Sequence, residues 1–491
     1  MALMILDPIL CRQAVLARDA RFDGRFFTGV LTTGIYCRPV CPARPPKAQN
    51  CRYYPSAAAA QGDGFRPCLR CRPETAPGAG AWRGASNTVS RAMSLIDAGA
   101  LDDGDVDHLA ERLGVGERHL RRLFLKHLGA APVSVAQTRR VHIAKQLIHE
   151  TQLPMAEIAL ASGFGSVRRF NETMLALFGR PPTALRRAVG GGASAAAGVT
   201  LSLGYRPPYD WDGLIGFLAT RAIPGVETVE NGVYRRTIEI GGEVGALEAS
   251  HEPERRRIRA TIRFPNLAAL PGIIARVRRI FDLDADPDVI GAALSGDARL
   301  APLVAARPGL RVPGAWDGFE LAVRAILGQQ ITVAAARNLA MRIAERWGEP
   351  FEGEAGLSRV FPTPAALAEA EIDGMPGSRA QAIRKLAAAV AADPALLERA
   401  EDLDATVRRL VALPGIGEWT AQYIAMRALR EPDAFPAADV GLMRALDDGA
   451  GRPSAAALLV RSQAWRPWRA YAALHLWTAP TLKETDRAFA A

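Results

Sequence analysis

The sequence predicts a multidomain chain, mainly α-helical with smaller α+β parts. Three observations lead there. All six cysteines fall before residue 72, which sets apart a small cysteine-rich module. Residues 88–187 and 284–491 carry helical apolar spacing, whereas 199–283 contains alternating β-branched runs such as YRRTIEI (234–240) and RIRATIRF (257–264). Two stretches of small residues, RPETAPGAGAWRGASN (72–87) and GGGASAAAG (190–198), read as linkers, and a softer boundary lies near 282–294. The predicted domains are therefore 1–75, 86–188, 199–283 and 284–485, in line with the roughly three or four that this length allows.

The net charge of +10 is not spread evenly. Residues 1–190 hold 26 Lys+Arg against 15 Asp+Glu, and residues 191–491 hold 35 against 36. The first part is therefore +11 and the rest −1. A basic N-terminal part calls for a polyanion, most simply DNA, bound through phosphate neutralisation. No apolar run approaches the roughly 20 residues that a membrane span needs, and with no basic flank before a long apolar core, no secretory signal is expected. A cytoplasmic location without membrane contact is expected.

In the first module, Cys37 and Cys41 form C-x3-C, and Cys68 and Cys71 form C-x2-C. Two such pairs can close a tetrahedral sulfur site around Zn2+, and a small module gains folding energy from it. Zinc keeps thiols deprotonated, so a bound sulfur can be structural or nucleophilic; spacing alone leaves both open. LTTGIYCRPVCPAR, GFRPCLRC and VLARDARFDGRF (15–26) resemble the N-terminal module of Ada-type proteins over roughly residues 7–74. The resemblance implies that Cys37, Cys41, Cys68 and Cys71 ligate zinc. It also implies that Cys37 takes a methyl group from a DNA methylphosphotriester. Arg38 is expected to hold the DNA backbone, and Cys11 and Cys51 to be buried small side chains.

VDHLAERLGVGERHLRRLF (106–124) and MAEIALASGFGSVRRFNETMLALFG (155–179) repeat one pattern. The first unit carries Ala110, Gly114, Leu120, Leu123 and Phe124, and the second repeats the pattern with Ala159, Gly163 and Phe170. A small residue in one helix and a glycine in the turn let two helices cross closely. The pair resembles the AraC-type DNA-binding domain, and RPPTALRR (180–187) resembles its ending. The expected recognition helices offer Arg118, Arg121 and Arg122, then Arg168, Arg169 and Asn171, residue types suited to base edges and phosphates.

In the C-terminal part, LPGIGEWTAQYIAMRAL (413–429) places Gly415 and Gly417 in a turn whose N–H groups can meet a DNA phosphate. Asp439 follows in FPAADVGLMRAL, with Arg444 beyond it. This pairing resembles the helix-hairpin-helix DNA glycosylases. YRPPYDWDGLIGFLATRAIPGVETV, AVRAILGQQITVAAA and WRPWRAYAALHLW narrow the likeness to the AlkA-type 3-methyladenine glycosylases over about residues 199–480. The resemblance implies that Asp439 stabilises positive charge at C1′ or guides water. The extruded base then lies among Phe217, Trp419, Tyr423 and Trp477. Gln330 stands at the position that fills the vacated stack, with Ile331 next to it. The hairpin carbonyls are a potential monovalent-cation site.

Trp419 stands where lyase-type relatives carry lysine, and no cysteine follows Cys71. Schiff-base chemistry, an iron–sulfur cluster and a cysteine-based O6-alkylguanine acceptor are therefore not expected. The predicted whole is a regulator and repair enzyme that accepts methyl from phosphotriesters, binds promoter and alkylated duplex DNA, and hydrolyses the glycosidic bond of alkylated bases without strand cleavage. RNA polymerase is an expected partner, and the chain is expected to be a monomer. The alternatives are a regulator with an inactive glycosylase-like half, or a glycosylase whose zinc module is purely structural.

Overall fold

The computed structural model describes residues 6–78, 87–186, 198–354, 356–447 and 451–479. The predicted linker 190–198 lies almost entirely outside them, as do residues 79–86 of the other. The chain divides into two compact units. The first comprises Met1–Pro207, Ile238–Arg278 and Leu283–Ala285, and the second Pro208–Thr237, Arg279–Asp282 and Asp286–Ala491.

The first unit opens with α1 (Pro8–Ala17), started by the Asp7 carboxylate accepting from Ile9 N. Then come β1 (Phe27–Val30), β2 (Ile35–Cys37), β3 (Cys51–Tyr54), α2 (Ala57–Gly62) and β4 (Arg66–Pro67). The strands form one sheet in the order β3-β1-β2-β4, with β4 parallel to β2. Phe27, Tyr36, Tyr54, Ala57, Ala60 and Phe65 make its small core. With so few large side chains, the module would gain folding energy from a metal held by its cysteines.

Six helices follow: α3 (Asn87–Asp97), α4 (Val106–Leu113), α5 (Glu117–Leu128), α6 (Pro132–Glu150), α7 (Met155–Ala161) and α8 (Val167–Phe178). Ala110, Leu120, Phe124, Ala159 and Phe170 are all buried, as the repeated pattern requires. Gly114 and Gly163 end the first helix of each pair in the left-handed region, at φ 71° and 82°. β5 (Val199–Gly204) joins this unit by hydrogen bonds to α6. Gln146 Nε2 donates to Ser202 O at 2.9 Å, and Ser202 N donates to Glu150 Oε2 at 3.0 Å.

The chain passes into the second unit through α9 (Trp211–Arg221), β6 (Glu227–Glu230) and the first part of β7 (Val233–Ile240). It returns to the first for β8 (Glu243–Glu252) and β9 (Arg257–Arg263), where β9 pairs antiparallel with both β5 and β8. α10 (Leu270–Ile280) leads back, and the remainder is mostly helical. It comprises α11 (Pro287–Leu294), α12 (Ala301–Ala306), α13 (Gly318–Leu327), α14 (Val333–Trp347), α15 (Pro364–Ala368), α16 (Gly377–Ala392), α17 (Leu403–Val411), α18 (Glu418–Arg427), α19 (Val440–Ala445), α20 (Ala455–Ser462) and α21 (Arg469–Trp477).

One insertion departs from the all-helical expectation: β10 (Pro350–Glu354) pairs antiparallel with β11 (Leu357–Arg359). Gly356, at φ 81°, permits the tight reversal between them. α13 is nearly all buried, with Phe319, Leu321, Val323, Ile326 and Leu327 in the same core as Ile383 and Leu386 of α16, Leu410 of α17 and Ile424 of α18. That core fixes the hairpin between α17 and α18. Among the described residues no helix is long and apolar enough to cross a membrane.

Candidate functional sites: a four-cysteine centre and an aspartate among aromatic rings

Cys37 ends β2, Cys41 follows one turn later, and Cys68 and Cys71 lie just beyond β4. All four sulfur atoms lie within 4.8 Å of one another. Cys37 and Cys41 are half-buried; Cys68 and Cys71 are buried. Backbone N–H groups turn toward the sulfurs, Arg70 N to Cys68 Sγ at 3.3 Å and Arg38 N to Cys71 Sγ at 3.4 Å. Hydrogen bonds within the cluster raise the thiols of Cys37 and Cys71 and lower those of Cys41 and Cys68. Four close thiols cannot all ionise without a cation. Such a donor set fits one Zn2+.

Cys68 is tied to α6 from behind. Lys145 Nζ, with a fully buried side chain, donates to Cys68 O at 2.8 Å and to Glu74 Oε2 at 2.6 Å. Burial pulls the Lys145 ammonium down. Burial pushes Glu74 up, but Lys145 and Arg72 outweigh it and hold the carboxyl below its usual range. Arg72 continues to Glu150 at 2.7 Å. Arg72 and Glu74 therefore belong to the packed module, although the sequence around them reads as linker.

Two expectations about this module are corrected. Arg38 is turned inward: Nε donates to Asp23 Oδ1 at 2.8 Å, and Nη1 to Cys71 O at 3.1 Å and Thr75 Oγ1 at 2.7 Å. Its guanidinium braces the cysteine loops and does not face outward for a DNA backbone. The exposed Arg44 and Arg70 flank the ligands instead. Cys11 is buried as expected, but Cys51 is half-exposed and donates to Lys47 O at 3.3 Å.

On α5, Arg118, Arg121 and Arg122 are exposed, as are Arg168, Arg169 and Asn171 on α8. Arg121 pairs with Glu117, and Arg168 pairs with Glu172 at 2.8 Å. Both pairs are solvated and cost little to break against a phosphate.

In the second unit, Asp439 caps α19, its Oδ1 accepting from Leu442 N at 2.9 Å. Two indoles hold the same carboxylate. Trp419 Nε1 donates to Oδ2 at 2.9 Å, and Trp477 Nε1 donates to Oδ1 at 2.8 Å. Tyr423 stacks on Trp419 with centroids 5.2 Å apart and planes at 9°, and lies 6.4 Å from Trp477. Arg427 links Phe217 to this group. Its guanidinium carbon is 4.8 Å from the Phe217 ring, and its Nη1 donates to Tyr423 OH at 2.7 Å. Arg221 covers the Phe217 ring at 3.7 Å. Burial raises the Tyr423 phenol, but Arg427 and Arg221 outweigh it and bring it below its ordinary value. Trp419 and Trp477 thus touch Asp439 and Tyr423 packs on both, whereas Phe217 joins the group only through Arg427.

Family models match along the chain in order. They are the metal-binding domain of Ada over residues 10–74, a helix-turn-helix domain over 109–188, the AlkA N-terminal domain over 200–317, and the HhH-GPD superfamily base excision DNA repair protein over 323–470. A "Probable bifunctional transcriptional activator/DNA repair enzyme AlkA" of Mycobacterium tuberculosis is 43% identical over 475 residues, covering 95% of both chains. The chain belongs to this AlkA family of bifunctional activator and repair enzymes.

A second relative, the "DNA-3-methyladenine glycosylase 2" of Escherichia coli, is 36% identical and spans 56% of this chain and 96% of its own. Among solved structures, a 3-methyladenine DNA glycosylase from Archaeoglobus fulgidus matches with a TM-score of 0.50 and 25% identity, over 56% of this chain and 96% of that one. The AlkA-like part carries the aspartate and its rings, and the Ada-like part carries the cysteine centre.

The hairpin between α17 and α18 lies beside the aspartate through Trp419. Gly415 sits at φ 82°, and a Cβ there would fall 2.3 Å from Ala382 Cβ, so only glycine fits this turn. Gly417 is the N-cap of α18 and offers no side chain to its first-turn N–H groups. They are available to a phosphate. Between α13 and α14, Gln330 is exposed at φ 60°, and Ile331 is 36% exposed. The arginines Arg221 and Arg427 were not named from the sequence. Their spacing of four from Phe217 and from Tyr423 on one helical face was the available signal.

Proposed function

We propose that this chain is an alkylation-repair enzyme and regulator with two separate chemistries: hydrolytic excision of alkylated bases such as 3-methyladenine, and single-turnover methyl transfer from DNA methylphosphotriesters to Cys37. The observation that carries the first is the Asp439 carboxylate, oriented by Trp419 and Trp477 at the edge of the aromatic group. In excision, the C1′–N bond breaks and its electron pair leaves with the base. Positive charge grows on the sugar, where Asp439 stabilises it and guides water to C1′. The flat faces of Trp419 and Tyr423 suit an electron-poor alkylated ring, whose cationic charge also makes it a good leaving group. With Trp419 in place of a lysine, no amine attacks C1′, and the strand stays intact.

In methyl transfer, the Cys37 sulfur attacks the methyl carbon, the C–O bond breaks, and the phosphate leaves as an ordinary diester anion. Bound Zn2+ would keep the four sulfurs deprotonated. Cys37 is one of the two half-buried ligands, which gives it access to DNA. Loss of one negative charge from the centre favours a tighter grip on DNA, and the exposed arginines of α5 and α8 read the promoter. Duplex DNA is the partner for both chemistries, with RNA polymerase engaged at the promoter by a monomeric chain.

Base release from methylated duplex DNA tests the excision reading. Wild type releases alkylated purines with the strands intact; Asp439→Asn is slower by about 10²-fold or more. Equal rates from the two proteins would exclude Asp439 as the catalytic carboxylate.

A further inference from the structure

The loop between α13 and α14 holds Gln330 in the left-handed region, which a non-glycine residue keeps only when its surroundings impose it. The preceding residue is anchored on two sides. Gln329 Nε2 donates to Gly415 O at 2.9 Å and to Thr420 Oγ1 at 3.1 Å. Its backbone oxygen accepts from Arg379 Nη2 at 2.6 Å. Gly415 O has no proton to give, so the amide nitrogen of Gln329 faces it. Thr420 is buried on α18, Gly415 packs on Ala382 of α16, and Arg379 begins that same helix. One side chain therefore ties the loop tip to the hairpin turn, and α16 braces both.

We propose that Gln329 is a positioning residue. It locks the loop that enters the base stack to the hairpin that grips the DNA backbone. The inference rests on the excision reading above. An extruded base leaves a gap that closes again unless something fills it. A loop tip held only by its own chain ends yields to the re-stacking base. Tied to Gly415 and Thr420, the Gln330–Ile331 tip moves with the hairpin, so phosphate grip and insertion occur together. Gln329 touches neither the base nor C1′ in this scheme. It acts through the tip.

The test uses the full chain as wild type, Gln329→Leu and Arg379→Gln. Gln329→Leu keeps the bulk and loses both donated bonds; Arg379→Gln releases the loop from the other side and serves if the first variant folds poorly. A duplex with 2-aminopurine beside the lesion reports base extrusion, and base release is followed on duplex and on single-stranded alkylated DNA. Each variant should show a smaller fluorescence rise and duplex excision reduced by about tenfold, the order expected for lost positioning, with single-strand excision within about twofold of wild type. Duplex affinity should change little. Equal losses on duplex and single strand would make the role merely structural and overturn the proposal, as would unchanged duplex excision. Wild type that releases no base from either DNA would strike the excision reading itself and this inference with it.

Discussion

Trp477 donates its indole N–H to Oδ1 of Asp439 at 2.8 Å, so α21 aims the carboxylate that begins α19. Trp477→Phe keeps a flat ring, removes this donor and gives up some packing area. Excision should slow by about ten- to a hundredfold, the scale of a catalytic group set free to turn, with little change in duplex affinity. Single-turnover base release and equilibrium binding measure the two quantities. An unchanged rate would mean that Trp419 and the helix cap orient Asp439 without help.

Lys145 and Glu74 form an ion pair with no exposed side-chain surface behind Cys68. Lys145→Met leaves a buried carboxylate with Arg72 as its remaining ion-pair partner among the described residues and should cost about 3–5 kcal/mol in the first unit. Denaturant unfolding followed by zinc release measures it. Adding Glu74→Gln should recover much of the loss, because the stranded charge is gone. A double variant no more stable than Lys145→Met would contradict the pairing.

His475 is 4% exposed on α21. Burial first, and then the Arg307 charge, bring its imidazole from 6.5 to about 4, against a smaller opposing pull from Asp210. The unfolded chain therefore binds a proton between about pH 6.5 and 4 that the folded chain refuses. Stability from this residue is complete above the unfolded value and is lost as pH falls through that window, by about 3 kcal/mol at the lower end. Thermal melts of wild type and His475→Gln across that range should converge toward acid pH. Parallel curves would show that His475 titrates normally.

The sequence disclosed what short spacings encode. The two cysteine pairs are local, and the glycines and buried apolar positions of the helix-turn-helix units recur within a few residues of each other. Asp439 and its rings were legible only through family likeness, because the bonds to Trp419 and Trp477 span 20 and 38 residues. Arg38 was misread for the same reason. Its internal partners Asp23 and Thr75 lie 15 and 37 residues away, and a lone arginine beside cysteines looks the same whether it faces DNA or the core. Gln329 escaped notice because its partner Gly415 is 86 residues distant. The hairpin of β10 and β11 was hidden because its strands of five and three residues are too short to show an alternation amid helical sequence.

The central claim is that one chain holds two separable repair chemistries. Asp439→Asn protein, zinc-loaded and incubated with methylated duplex DNA, tests it most directly: released bases are counted while the Cys37 peptide is weighed by mass spectrometry. The account predicts almost no alkylated base in solution and one added methyl on Cys37. An unmodified Cys37 with zinc still bound, or base release at the wild-type rate, would contradict it.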